Sequence, residues 1–199
     1  MAVAAKLALF DFDGTITKRD SLPDFLVYAV GWPRFIWGLL RLSPILFGYV
    51  LKRVDNSWAK ERMLHYFLAG VPEEWLQEKG RAYALERIES LLRDKALACL
   101  KRHLAEGDRV IVVSASSEIW LKAWCDEVGV ELLATRLQAK EGVMTGLYDG
   151  RNCHGEEKVR RIRSAVELSR FDQICAYGDS SGDLPMLSLA SQAFYKPFR

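Results

Sequence analysis

Residues 7–17 read LALFDFDGTIT: four apolar residues, Leu7, Ala8, Leu9 and Phe10, run straight into Asp11 and Asp13. The apolar run predicts a strand buried on both faces, as in a parallel sheet. A charge at the end of such a strand is costly unless a partner meets it. Either the strand stops there and the acids dip into water, or the acids hold a cation. Residues i and i+2 of an extended chain face one side, so both carboxylates are expected to reach one point. Gly14 then lets the chain turn away.

Two later runs have the same form. DRVIVVSAS (108–116) predicts a buried strand over Val110 to Val113 that ends in Ser114, and QICAYGD (173–179) predicts a third that ends in Gly178 and Asp179. Asp183 follows four residues later. Between the first two strands, residues 21–95 carry helical spacing almost throughout, as in NSWAKERMLHYFLAG, which stops at Gly70. Further on, SEIWLKAWCDEVGV predicts a helix closed at Gly129, ELLATRLQA and VMTGLYDG predict strands around the turn KEG, GEEKVRRIRSAVEL predicts a helix and QAFYK a short last strand. Apolar strands alternating with helices predict an α/β fold, a parallel sheet covered on both faces. The helical block interrupts that alternation after the first strand, so residues 1–17 and 96–199 are expected to form the core and 18–95 an inserted helical subdomain.

A chain of 199 residues, 50% of them apolar, is enough for one core with a large insertion. Twenty-eight basic and 26 acidic residues leave a net charge of +2, too even a balance to argue for a nucleic-acid partner. Cys99, Cys125, Cys153 and Cys175 are scattered without a C-x-x-C pair and read as reduced thiols, which points to a cytoplasmic setting. The opening MAVAAKLALFDFDG is not a convincing signal peptide, because its apolar run leads directly into the acids. Residues 25–51 are strongly apolar, but Arg34 and Arg41 interrupt them, and Pro33 and Pro44 are expected to break any helix. No run reaches the roughly 18 residues a membrane span requires. The segment reads as short helices packed on one another, or as an apolar surface meeting a membrane or a lipid-like substrate. Arg34, Arg41, Lys52 and Arg53 fit either anionic lipid or plain solvation.

Ligands of open parallel sheets bind beyond the carboxyl ends of the strands. There the sequence places Asp11, Asp13, Ser114, Asp179 and Asp183, four carboxylates and one hydroxyl. Each has a plainer reading alone. DFDG is also a polar turn, Ser114 a helix cap, and Asp183 the cap of the helix opened by DLPML. Lys158 in HGEEKVRRI is also a solvated lysine, but it stands in the first turn of a helix, where the dipole disfavours it, so it is a candidate partner for an anion. Carboxylates without histidine or thiolate suit a hard cation, magnesium rather than zinc.

Taken together, DFDGT, Ser114, Lys158 and GDSSGD, in this order and spacing, resemble the four motifs of the haloacid dehalogenase-like hydrolase superfamily, in its phosphoserine-phosphatase-like branch (subfamily IB). The resemblance covers nearly the whole chain and implies a Rossmann-like core with an inserted α-helical cap of the C1 type. By that resemblance Asp11 is the nucleophile that forms an aspartyl-phosphate. Asp13 protonates the leaving alcohol and then activates water. Mg2+ is held by Asp11, the backbone carbonyl of Asp13 and Asp179, with Asp183 supporting the metal's waters. Ser114, Gly14 and Lys158 hold the phosphoryl oxygens, Lys158 also offsetting developing charge. Two departures from the branch stand out. Gly182 occupies a place usually held by asparagine. In the cap, Asp20 matches an acidic residue that reads a substrate amine, but Leu64 falls where an arginine reads the carboxylate, with Arg62 the nearest candidate, out of phase. The implied partner is a small phosphomonoester such as phosphoserine or a similar phosphorylated alcohol. Alternatives are a phospholipid head-group phosphate such as phosphatidylglycerophosphate at the membrane surface, transfer to a second alcohol instead of water, and a non-catalytic phospho-ligand-binding module. A dehalogenase is disfavoured because those enzymes lack the acid at position 13.

Overall fold

The computed structural model describes residues 6–51 and 53–199, so Lys52 and the first five residues of the opening segment lie outside the described residues. Strands β1 (Lys6–Phe10), β2 (Arg109–Ser117), β3 (Glu131–Thr135), β6 (Gln173–Gly178) and β7 (Gln192–Tyr195) form one parallel sheet in the order β3-β2-β1-β6-β7. β4 (Leu137–Lys140) and β5 (Val143–Tyr148) make a separate antiparallel hairpin. The sheet is doubly covered, as apolar strands require. Leu7, Leu9, Ile111 and Val113 point to one side, against Ile162 of α8 (Glu156–Ala165) and Met186 of α9 (Leu184–Leu187). Ala8, Phe10, Val110 and Val112 point to the other, toward Leu100 of α6 (Asp94–Ala105) and Leu121 and Trp124 of α7 (Glu118–Val128).

Helices α1 (Ser21–Val30), α2 (Trp32–Val50), α3 (Asn56–Leu68), α4 (Glu73–Glu86) and the single turn α5 (Ile88–Leu91) lie between β1 and α6. The two connections to this insertion run side by side. Lys18 N donates to Leu91 O at 2.8 Å and Arg93 N to Ile16 O at 2.8 Å. Two glycines bring helices into contact where a side chain would not fit. A Cβ at Gly80 of α4 would stand 2.2 Å from the Ile119 carbonyl oxygen of α7, and one at Gly38 of α2 would stand 2.2 Å from the Phe67 ring of α3. Phe25 of α1 stacks on Trp120 of α7 with ring centroids 4.6 Å apart, so the insertion and the sheet share one apolar cluster.

Pro44 does not break the helix that holds it, contrary to the expectation from sequence. α2 runs through it, with Pro33 in its first turn, where proline is tolerated. Pro44 leaves the Leu40 carbonyl without its usual donor, and the Ser43 hydroxyl donates to that carbonyl at 2.8 Å. The four cysteines are unpaired. No helix among the described residues is long and apolar enough to cross a membrane.

Candidate active site

β1 is aligned with both neighbours, Phe10 opposite Val112 and Tyr177, so the residues that follow these strands emerge at one edge. Asp11 extends the ladder by one bond, its N–H donating to Tyr177 O at 2.9 Å. Its Oδ1 accepts from Lys158 Nζ at 2.6 Å and its Oδ2 from Thr15 Oγ1 at 2.9 Å. Lys158 is buried and directs its ammonium to Asp11, to Val113 O at 2.7 Å and to Asp183 Oδ1 at 2.8 Å. These three acceptors account for a lysine in a first turn that the helix dipole disfavours. The other oxygen of Asp183 accepts from Asp179 N at 3.1 Å, Ser180 N at 2.9 Å and Ser180 Oγ at 2.7 Å, so Asp183 ties the turn after β6 together. Gly14, at φ 82°, passes so close to Asp179 that a Cβ would stand 2.5 Å from Oδ2, which makes glycine necessary on both counts. Asp179 also accepts from the guanidinium of Arg199.

Carboxylate oxygens of Asp11, Asp179 and Asp183 lie within 4.8 Å of one another, and all three residues are buried. The carboxylate of Asp13 is directed elsewhere, against the expectation that it and Asp11 reach one point. After Asp11 the chain leaves the extended state in a wide turn closed by Thr17 N to Phe12 O at 3.0 Å, so the alternation of a strand no longer applies. Asp13 Oδ1 accepts from Ser21 N at 2.7 Å and Oδ2 from Ser116 Oγ at 2.5 Å. Ser21 Oγ donates to Ser116 Oγ at 3.1 Å and in turn accepts from Trp120 Nε1 at 3.2 Å. Ser114 is buried in β2 where the strand's register shifts, three residues before its end and not at the end as the sequence suggested, its Oγ accepting from Ser116 N at 3.0 Å.

Charge and burial compete here. Burial pushes Asp11 up to about 7, with Lys158 pulling the other way, and pushes Asp13 up to about 6, with Asp20 adding to the rise and Lys60 opposing it. Burial would lower Lys158, but Asp11 and Asp183 outweigh it and hold the ammonium above its ordinary value. Asp183 is also pushed up by burial, yet Lys158 and Ser180 hold it below the usual carboxylate range. Among the described residues, Asp11, Asp179 and Asp183 are paired with two cations, the buried Lys158 and the half-exposed Arg199, so one negative charge is left over. An all-oxygen donor set with surplus negative charge fits a hard divalent ion.

The insertion closes over this edge. Leu22, Lys60 and Leu64 join Ser116, Ser117, Trp120, Leu137 and Tyr148 around a cavity of about 10 Å³. Asp20 caps α1, accepting from Leu22 N at 3.0 Å, and lies 3.8 Å from Lys60 Nζ. Arg62, expected as the cap cation, is not brought there: it is exposed on α3 with its guanidinium 5.2 Å above the Trp58 ring. Lys60, one helical turn before Leu64, lines the cavity instead. Its i, i+4 spacing from Leu64 would have pointed to it in the sequence. Ser21 and Ser116 carried no comparable signal, since each reads as an ordinary cap-region serine. The place of Gly182 is also explained: a Cβ there would stand 2.2 Å from His154 Nε2, so the imidazole fills the space an asparagine would need.

Comparison with known proteins identifies the family. A family model described as haloacid dehalogenase-like hydrolase matches residues 8–188. Protein CicA of Caulobacter vibrioides is 37% identical over 97% of this chain and 86% of its own length. A probable phosphatase of Mycobacterium tuberculosis is 29% identical over 96% of this chain and 68% of its own. A crystal structure of a protein of unknown function from Bordetella pertussis superposes with a TM-score of 0.81 at 26% identity, covering 95% of this chain and 88% of that one. A match over residues 8–188, from β1 through the helical insertion to the end of α9, places this chain in the haloacid dehalogenase-like hydrolases.

Proposed function

We propose that the chain is a magnesium-dependent phosphomonoester hydrolase in which Asp11 forms an aspartyl-phosphate. The observation that carries this reading is the buried array of Asp11, Lys158 and Asp183, with Asp179 within reach, at the carboxyl edge of the sheet. A carboxylate of Asp11 attacks phosphorus, and the ester P–O bond breaks as Asp13 gives its proton to the departing alcohol. Burial holds the Asp13 carboxyl above the usual carboxylate range, which suits a proton donor. Asp13 then takes a proton from water, whose oxygen attacks phosphorus, freeing phosphate and restoring Asp11. Ser114, Gly14 and Lys158 hold the phosphoryl oxygens. Asp11, Asp179 and the backbone carbonyl of Asp13 would hold Mg2+, which when bound cancels repulsion between the attacking carboxylate and the phosphate. Asp183 fixes the turn that presents Asp179.

Residues 18–95 act as the cap in this reading, and Asp20 with Lys60 selects a small phosphorylated alcohol such as phosphoserine. The relative of Mycobacterium tuberculosis named a probable phosphatase supports the reaction class. A second reading, hydrolysis of a phospholipid head-group phosphate, draws on the exposed apolar face of α2.

The test is phosphate release from p-nitrophenyl phosphate, phosphoserine, phosphorylated sugars and amino alcohols, and phosphatidylglycerophosphate in detergent, with Mg2+ present. EDTA and Asp11→Asn are expected to abolish release. Release that survives both, or folded protein that hydrolyses no ester, would overturn the reading.

A further inference from the structure

α2 presents two contrasting sides. Phe35, Gly38 and Leu42 are buried against the rest of the insertion. Ile36, Leu40 (61% exposed), Phe47 (65%), Val50 (72%) and Leu51 turn outward, with Trp32 and Trp37 beside them. At about 100° per residue these positions fall in one stripe, too large an apolar face to be incidental on a solvated helix. Arg34 and Arg41, seven residues apart, stand in line along one edge of that stripe. Both are exposed, and Arg41 lies 5.9 Å from the Trp37 ring centre. Between Asp24 and Asp55 the sequence has no acidic residue at all, although the chain has 26.

We propose that this face of α2 docks on an anionic lipid bilayer, the helix lying in the plane of the interface. An apolar stripe with tryptophans and a basic edge, on a helix that cannot span, is what an interfacial helix requires. Charge complementarity selects the occupant. A second copy of the chain offers the same acid-free face and nothing to meet Arg34 and Arg41, whereas anionic head groups meet both. The proposal is independent of the catalytic reading, since none of these side chains reaches the acid cluster.

Sedimentation with vesicles of phosphatidylcholine alone, and of phosphatidylcholine mixed with phosphatidylglycerol, tests it. The chain is expected to pellet with the mixed vesicles only, and less as salt is raised. Leu40→Ser with Phe47→Ser should abolish pelleting. Arg34→Glu with Arg41→Glu should weaken it at least about tenfold. All four positions are exposed, so melting temperature and turnover of p-nitrophenyl phosphate should hold. If a variant does not fold, quenching of wild-type tryptophan emission by brominated phosphatidylglycerol serves instead. No binding to either vesicle, binding that the substitutions leave unchanged, absence of quenching, or a dimer that Leu40→Ser dissociates in place of lipid binding would each overturn the proposal.

Discussion

The proposed acid–base residue is held by a chain of hydrogen bonds that reaches from Trp120 through Ser21 and Ser116 to Asp13. Ser116 matters in proportion to how much the leaving group needs a proton. Ser116→Ala should therefore slow hydrolysis of alkyl phosphates on the order of tenfold and leave p-nitrophenyl phosphate, whose leaving group departs unaided, nearly unchanged. Comparing kcat on the two substrate types checks this; an equal loss on both would mean that Ser116 only supports the fold. Lys158 cannot be read so cleanly, because its ammonium satisfies two buried carboxylates at once. Its removal unpairs both, and stability and chemistry fail together.

Between elements, close approach decides stability. Ala is favoured over Gly inside a helix by about 1 kcal/mol, yet Gly80→Ala would push a Cβ to 2.2 Å from a backbone carbonyl that cannot swing away. Overpacking of about 1–3 kcal/mol should win, and thermal or urea melts should show a net loss. α6 carries a pH-dependent contact. His103 is bonded to Asp108 Oδ2 at 2.6 Å and to Tyr177 Oη at 2.9 Å. Cys99 and Asp108 raise its pKa against the effect of burial. A raised folded value means that the stabilisation is complete below the ordinary histidine range and is lost as pH climbs through the folded pKa. The melting-temperature gap between the native chain and His103→Gln should thus be widest at about pH 5.5 and narrow toward about pH 9; a gap that widens with pH would contradict the assignment.

On the scale of the whole molecule, the cavity between insertion and sheet is the telling quantity. About 10 Å³ holds about one water, so a group larger than water occupies this cavity only if the insertion moves. The hairpin β4–β5 restrains that movement. Met144 N donates to Val71 O at 2.8 Å, Gly70 N to Met144 O at 2.9 Å and Glu73 N to Gly142 O at 2.9 Å. Hydrogen exchange should find these amides opening faster than those of Leu9 and Ala176 in the central strands, and slowing when Mg2+ and phosphate are added. Equal protection throughout would mean that the insertion opens only when the entire fold does.

Local pattern alone determined the buried strands and the order of the acids, because burial of four consecutive apolar residues leaves few alternatives to a strand in a covered sheet; it missed that β2 runs on past Ser114 to Ser117 through a shift in register. Lys158 was legible for a similar reason, as a cation placed where a helix N-terminus repels one. The tertiary structure decided what depends on partners distant in sequence. Asp13 turns from Asp11 to meet Ser21 and Ser116, the latter 103 residues away. α2 continues through Pro44 because one serine satisfies one carbonyl. Lys60 faces the cavity and Arg62 the solvent, since the packing of α3 selects which side turns inward. A side chain at Gly182 would have to displace the ring of His154, which stands there. Spacing along the chain encodes which residues are buried; only the folded chain settles which groups a buried or half-buried polar atom finds to bond.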